Sequence, residues 1–157
     1  MWPNDWPSSA AAIATSVDVA VTAAHAADEP GFVAATADLA ELPADQVMAV
    51  LAAIVRELLE TAHPDGLTGD DVRAVLEAVV RRAAGWHSSL DATAVVSVLT
   101  GALGIDDPDE PETSRTNPQP AAVLLIEYLA DLSKTPPRQP IQRAINEIAR
   151  AETVEMP

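Results

Sequence analysis

The sequence has no cysteine and few aromatic side chains: three tryptophans, one tyrosine and one phenylalanine in 157 residues. The first absence excludes disulfides, thiolate metal sites and thiol nucleophiles. The second removes the large rings that strands favour. Lys134 is the single lysine, and residues 1–55 contain neither lysine nor arginine. With a formal net charge of −15, the chain lacks the basic clusters that displace counterions from nucleic acids or anionic lipids. Neither nucleic acid nor membrane is therefore an expected partner, and a basic protein is the electrostatically easy one. The Ala-rich run behind Met1–Pro7 is broken by Asp18 and His25, too early for a bilayer span. Asp5 stands where a signal peptide needs a cation. Export is not expected, and a cytoplasmic location is.

Alanine, by contrast, supplies roughly a fifth of the chain, a bias toward helix. Valine prefers strands in isolation, but Val47, Val50 and Ile54, like Val72, Val75 and Val79, recur at helical spacing. A fifteen-residue pattern occurs twice, from Leu42 to Arg56 and from Leu67 to Arg81. Its matched positions are the apolar stripe of a helix and one acid at the start, which is a packing signature. Leu90, Val95, Val98 and Leu99 repeat part of it. The offset of about 25 residues makes each copy one helix and one turn, shorter than the two-helix solenoid units.

Read along the chain, Ser8 or Ser9 caps a helix to about Ala27, which Pro30-Gly31 stops. A short helix follows from about Phe32 to Leu39. The third, about Ala44–Ala62, carries Val47, Val50, Leu51, Ile54, Leu58 and Leu59 and is the most buried candidate. Thr68 and Asp71 form a variant capping box for a fourth helix that ends at Gly85. A fifth runs from near Asp91 to Leu103. Residues 104–120 are acidic and Pro-rich, a linker composition. Two amphipathic helices, Ala121–Leu132 and Ile141 to about Ala151, complete the chain. The expected fold is all-α with six or seven helices in all: a compact antiparallel bundle over residues 1–103, a linker over 104–120, and a C-terminal helix pair over 121–157. That pair packs on the same core or on a partner chain. The two repeat copies are expected to lie side by side, Val50, Leu51 and Ile54 against Val75, Leu76 and Val79.

No residue set has the form of a catalytic, cofactor or metal site. Trp86-His87-Ser88-Ser89 with Asp91 brings together the residue types of a nucleophilic triad, but sequence neighbours point in different directions. His25, His63 and His87 are far apart and lack ligand spacing. Asp45, Asp70 and Asp71 resemble paired carboxylates, yet acids in a first helical turn answer the macrodipole. Asp65-Gly66-Leu67-Thr68 resembles the turn into the second helix of a calcium-binding EF-hand, and also the Asp-Gly turn of tellurite-resistance TerB-like helical proteins, over about a dozen residues. With Gly66 at the invariant glycine, the EF-hand ligand positions fall on Thr61, His63 and Val72, so calcium is not expected. Asp106–Glu112 reads as solvated linker, and Pro137-Arg138-Gln139-Pro140 as a stiff connector rather than a PxxP ligand.

The function expected is that of a non-enzymatic adaptor, subunit or regulator acting through apolar and acidic surface. An acidic inhibitor or immunity-type protein for a basic nuclease or DNA-binding protein is the second reading, and a helical enzyme with a bundle-core pocket the third. Trp2 and Trp6 either dock on the bundle or anchor a partner. Leu125, Tyr128 and Leu129 lie on a helix with a wide apolar arc and are the other expected partner-binding residues. Self-association into a homo-oligomer is expected on the same ground.

Overall fold

The computed structural model describes residues 2–87, 89–104 and 117–155, with side chains to residue 150. The helical periodicities become seven α-helices, with no strand among the described residues: α1 Ser8–His25, α2 Glu29–Ala40, α3 Ala44–Ala62, α4 Gly69–Ala84, α5 Ala92–Ala102, α6 Gln119–Leu132 and α7 Arg138–Glu155. One contiguous apolar cluster draws on all seven. The acidic run Asp106–Glu112 lies outside the described residues.

Local chemistry sets the helix ends. Thr68 and Asp71 exchange hydrogen bonds, Thr68 Oγ1 accepting from the Asp71 amide at 3.1 Å and Asp71 Oδ2 from the Thr68 amide at 2.9 Å. Asp91 caps α5 by accepting from the amides of Thr93 and Ala94. At α1 the structure differs from expectation, because Ser8 and Ser9 lie inside the helix and Pro7 precedes it without a side-chain cap. Nor does Pro30-Gly31 stop α1. That helix closes with Ala27 at φ 55°, the Asp28 amide donating to Ala23 at 2.9 Å and the Ala27 amide to Ala24 at 3.1 Å. This is a Schellman closure with alanine where glycine is usual. Asp28 then caps α2 through the Gly31 amide, and Pro30 sits in the first turn, where its missing N–H costs nothing. Pro120 and Pro140 are likewise tolerated near the starts of α6 and α7, so both helices begin earlier than expected.

Packing departs from the repeat. α3 lies against α5, α6 and α7, while α4 lies against α5 and α6; α3 and α4 share no extensive contact. The repeat records which face of each helix is buried, and that face meets α5 and α6 instead of the other copy. Val75 and Val79 are buried in this way, whereas Leu76 is half-buried at the rim. The centre of the molecule is α6, in contact with α1 through α5, and every residue from Ala121 to Glu127 is buried. A helix apolar on nearly all sides needs this surround. The C-terminal pair is therefore built into the same core, with α7 laid across α1 and α3.

Candidate functional site

Sorting the carboxylates by what holds them separates structural acids from the rest. Asp28, Asp71 and Asp91 are caps. Glu29, Asp45 and Asp70 sit in first turns, where the positive end of the helix stabilises them. Glu57 pairs with Arg143, and Glu127 and Asp131 with Arg82. The hydrogen bonds from Thr68, the backbone one first, hold the Asp71 carboxyl below its ordinary range. These acids have structural reasons.

Glu60, exposed in the last turn of α3, shows no such reason among the described residues, and neither do Asp38 and Glu41. Both are exposed at the C-terminal end of α2, whose last turn carries no base, and negative charge there opposes the macrodipole. They end an outer face made of Val33, Ala34 and Ala37, all exposed, with Val33 at 51%. Val33, Ala37 and Glu41 recur every four residues and so share one stripe. Val19 on α1 is also 51% exposed. The α2 face thus combines small apolar groups with two carboxylates that local structure disfavours.

A second polar feature lies beneath the surface. Glu127, in the apolar run of α6, has a side chain 4% exposed. Nη2 of Arg82 donates to its Oε1 at 2.7 Å and to Oδ2 of Asp131 at 3.0 Å, and Nδ1 of His25 lies 3.1 Å from the same Oε1. The Glu127 hydrogen bond is the main reason the Arg82 guanidinium is held above its ordinary range, with Asp131 adding to it. The network ties α1, α4 and α6 together and underlies an open cleft of about 430 Å³ bounded by Val21, His25, Asp131, Lys134 and Pro136. Its acceptors and donors are engaged with one another, which makes it a clamp between helices.

The residues expected to bind a partner separate into two groups. Leu125 and Leu129 are fully buried in the core, a correction to their reading as partner-binding residues: the wide arc of α6 is covered by its own chain. Tyr128 is half-buried against the same core. Trp2 and Trp6 are docked. Their rings stack at 5.6 Å, Nε1 of Trp2 donates to Thr15 at 3.1 Å and Nε1 of Trp6 to Asn146 at 2.8 Å. The Arg138 guanidinium covers the Trp2 ring at 4.8 Å, so the tail closes over α1 and α7.

No protein-family model matches the chain, and no curated protein or solved structure is similar to it.

The other sequence candidates resolve individually. His87 is buried and Asp91 is spent on its cap; Ser88 lies outside the described residues. His25 serves Glu127, and His63 Nδ1 lies 3.2 Å from the Leu59 carbonyl oxygen. Gly66, at φ 104°, makes the turn before α4. No group of three or more metal-binding side chains occurs among the described residues, and none of their helices is long and apolar enough to cross a membrane. The Arg82–Glu127–His25 network is not legible in the sequence, because Arg82 and His25 lie 45 and 102 positions from Glu127. One signal was available: Glu127 is the lone charge between Ala121 and Ala130.

Proposed function

We propose that the chain is a non-enzymatic interaction module that binds a basic protein through the outer face of α2. The observation that supports this reading is the pair Asp38 and Glu41, placed where the helix dipole opposes them, with no ion pair among the described residues and in a stretch of sequence without lysine or arginine before Arg56. A sequence keeps a locally unfavourable arrangement where it has a use for it. Beside them Val33, Ala34 and Ala37 offer apolar area that an adaptor contact would cover. The occupant is argued from charge: lysines or arginines flanking a small apolar patch complement this face, whereas a second copy of a chain carrying −15 brings like charges together. An immunity-type inhibitor is one form of the same contact, with the carboxylates laid over a basic active site.

The test compares wild type with the variant Asp38→Lys/Glu41→Lys as bait in a lysate of the native host, at low and high salt, read by mass spectrometry. Lysines at a helix C-terminus agree with the dipole, so the variant keeps its fold. The expected result is a basic protein retained by wild type at low salt, released at high salt and absent from the variant. Capture that is the same for both baits, or insensitive to salt, overturns the reading.

A further inference from the structure

Lys134, the chain's single lysine, closes α6 in a left-handed conformation, with φ 53°. Its amide donates to the Asp131 carbonyl at 3.3 Å and the Thr135 amide to the Ala130 carbonyl at 2.9 Å, a closure at which glycine is usual because a Cβ is strained there. The same closure of α1 takes Ala27, so the turn does not itself call for a charge. Lys134 is exposed and makes no ion pair among the described residues. A side chain kept against backbone strain, with its charge uncommitted, points to a use.

Lys134 stands in the lining of the open cleft of about 430 Å³ where α1 and α6 both end. The other titratable side chains of that lining are His25, Glu127 and Asp131. Glu127 is engaged by His25 and Arg82 beneath the surface, whereas the side chains of His25 and Asp131 are 65% and 50% exposed. The clamp leaves two acceptor atoms unused. A carboxylate only accepts, so in the neutral His25 ring Nδ1 carries the proton toward Glu127 and Nε2 presents a lone pair. Asp131 gives Oδ2 to Arg82 and keeps Oδ1 without a partner among the described residues. The hydroxyls of the lining are committed, Thr22 to the Asp18 carbonyl and Thr135 to Ser133. Val21, Ala130, Pro136 and Pro137 make the apolar part, the two prolines its accessible share.

We propose that this cleft binds a free α-amino acid with an apolar side chain, its carboxylate on Lys134, its ammonium on Asp131 and His25 Nε2, and its hydrocarbon on the prolines. The chemistry follows from the charges. An anion alone would meet Asp131, Glu127 and the negative ends of two helices, and an amine alone would meet Lys134. A zwitterion answers both signs. Its two charged groups share one carbon, so it needs opposite charges that are near one another and not already paired; Asp131 and Lys134, three residues apart at the end of α6, make no ion pair with each other. The long flexible stem of Lys134 brings its ammonium to a carboxylate over the cleft. The site shares no residue with the outer face of α2 and is independent of the contact proposed there.

The experiment titrates the full-length protein with leucine and, separately, with isocaproic acid, which lacks the amine, and isoamylamine, which lacks the carboxylate. The amides of Thr22, Asp131 and Thr135 and the His25 ring are followed by NMR at neutral pH. The expected result is a saturable displacement of these resonances by leucine, which binds at least about tenfold more tightly than either analogue, as the loss of one charge-assisted hydrogen bond implies. Lys134→Gly keeps the fold, because glycine takes this φ without strain, and should bind leucine no more tightly than isoamylamine. Leucine without a saturable effect on these resonances, or either analogue as tight as leucine in wild type, overturns the proposal. So does Lys134→Gly with the wild-type preference for leucine intact.

Discussion

Replacing Arg82 by methionine should destabilise the fold far more than replacing its partner Glu127 by methionine. The Glu127 side chain is 4% exposed, and Arg82 is its closer contact at 2.7 Å. The remaining partner, His25, is 65% exposed at 3.1 Å. Arg82→Met leaves a buried carboxylate facing one solvent-directed imidazole. Breaking a buried pair in this way costs about 3–5 kcal/mol, and the 38% exposure of the Arg82 side chain admits water that moves the value to the lower end, about 3 kcal/mol. Glu127→Met removes the buried charge itself, fills its space with an apolar chain, and leaves Arg82 on Asp131; the expected cost is about 1 kcal/mol or less. The double variant should resemble Glu127→Met, giving a coupling of about 2–3 kcal/mol. Urea denaturation of the four proteins at neutral pH measures it, and Arg82→Met should also melt roughly 6–12 °C lower than wild type. Equal, small losses for both single variants, or Glu127→Met as the more damaging one, would refute the assignment of a buried clamp.

Four further outcomes follow from the packing and the caps. Leu51→Ala, at a fully buried position of α3, should cost about 2–5 kcal/mol, and Leu76→Ala, at the half-buried rim, clearly less; denaturation midpoints rank them. Ala27→Gly should stabilise by about 0.5–1 kcal/mol, because glycine adopts the positive φ that alanine adopts under strain. Asp71 is held below its ordinary range by its Thr68 bonds, so its stabilising contribution is present above the unfolded carboxylate range and is lost as pH falls through the depressed folded value. A carbon-13 titration should show Asp71 ionising at higher pH in Thr68→Ala than in wild type. Trp6→Phe removes the bond to Asn146 and should cost about 0.5–1.5 kcal/mol, with increased exchange of the α7 amides as its local signature.

How much of this was readable in the chain depends on the range of the interaction. The α3 stripe was legible because Val47, Val50, Leu51, Ile54 and Leu58 follow one helical face, and the Thr68 box because its two members are three residues apart. The end of α1 was not, since Ala27 adopts a left-handed conformation that its side chain does not announce. The internal repeat was a true record of burial and a poor guide to neighbours: the matched faces of α3 and α4 turn toward α6, and periodicity carries no information about which helix covers a face. The wide apolar arc of Leu124, Leu125, Ile126 and Leu129 left the same core and a second chain both open, and the chain's own core supplies the cover. The α2 face was legible in part. The lack of bases before Arg56 is in the sequence, and the helix end expected near Leu39 lies one residue from the observed Ala40, but the outward direction of Val33, Ala34 and Ala37 required the packing of α2.

The proposed acidic and apolar contact face on α2 is tested by the salt dependence of affinity for the captured partner. Purified partner is titrated against wild type, Asp38→Lys/Glu41→Lys and Val33→Ser by calorimetry over a series of ionic strengths. Wild-type affinity is expected to fall at least about tenfold from low to high salt, the lysine variant to be weak throughout with a flattened slope, and Val33→Ser to weaken binding without changing the slope. Equal affinities for all three proteins at every ionic strength would contradict the proposed face.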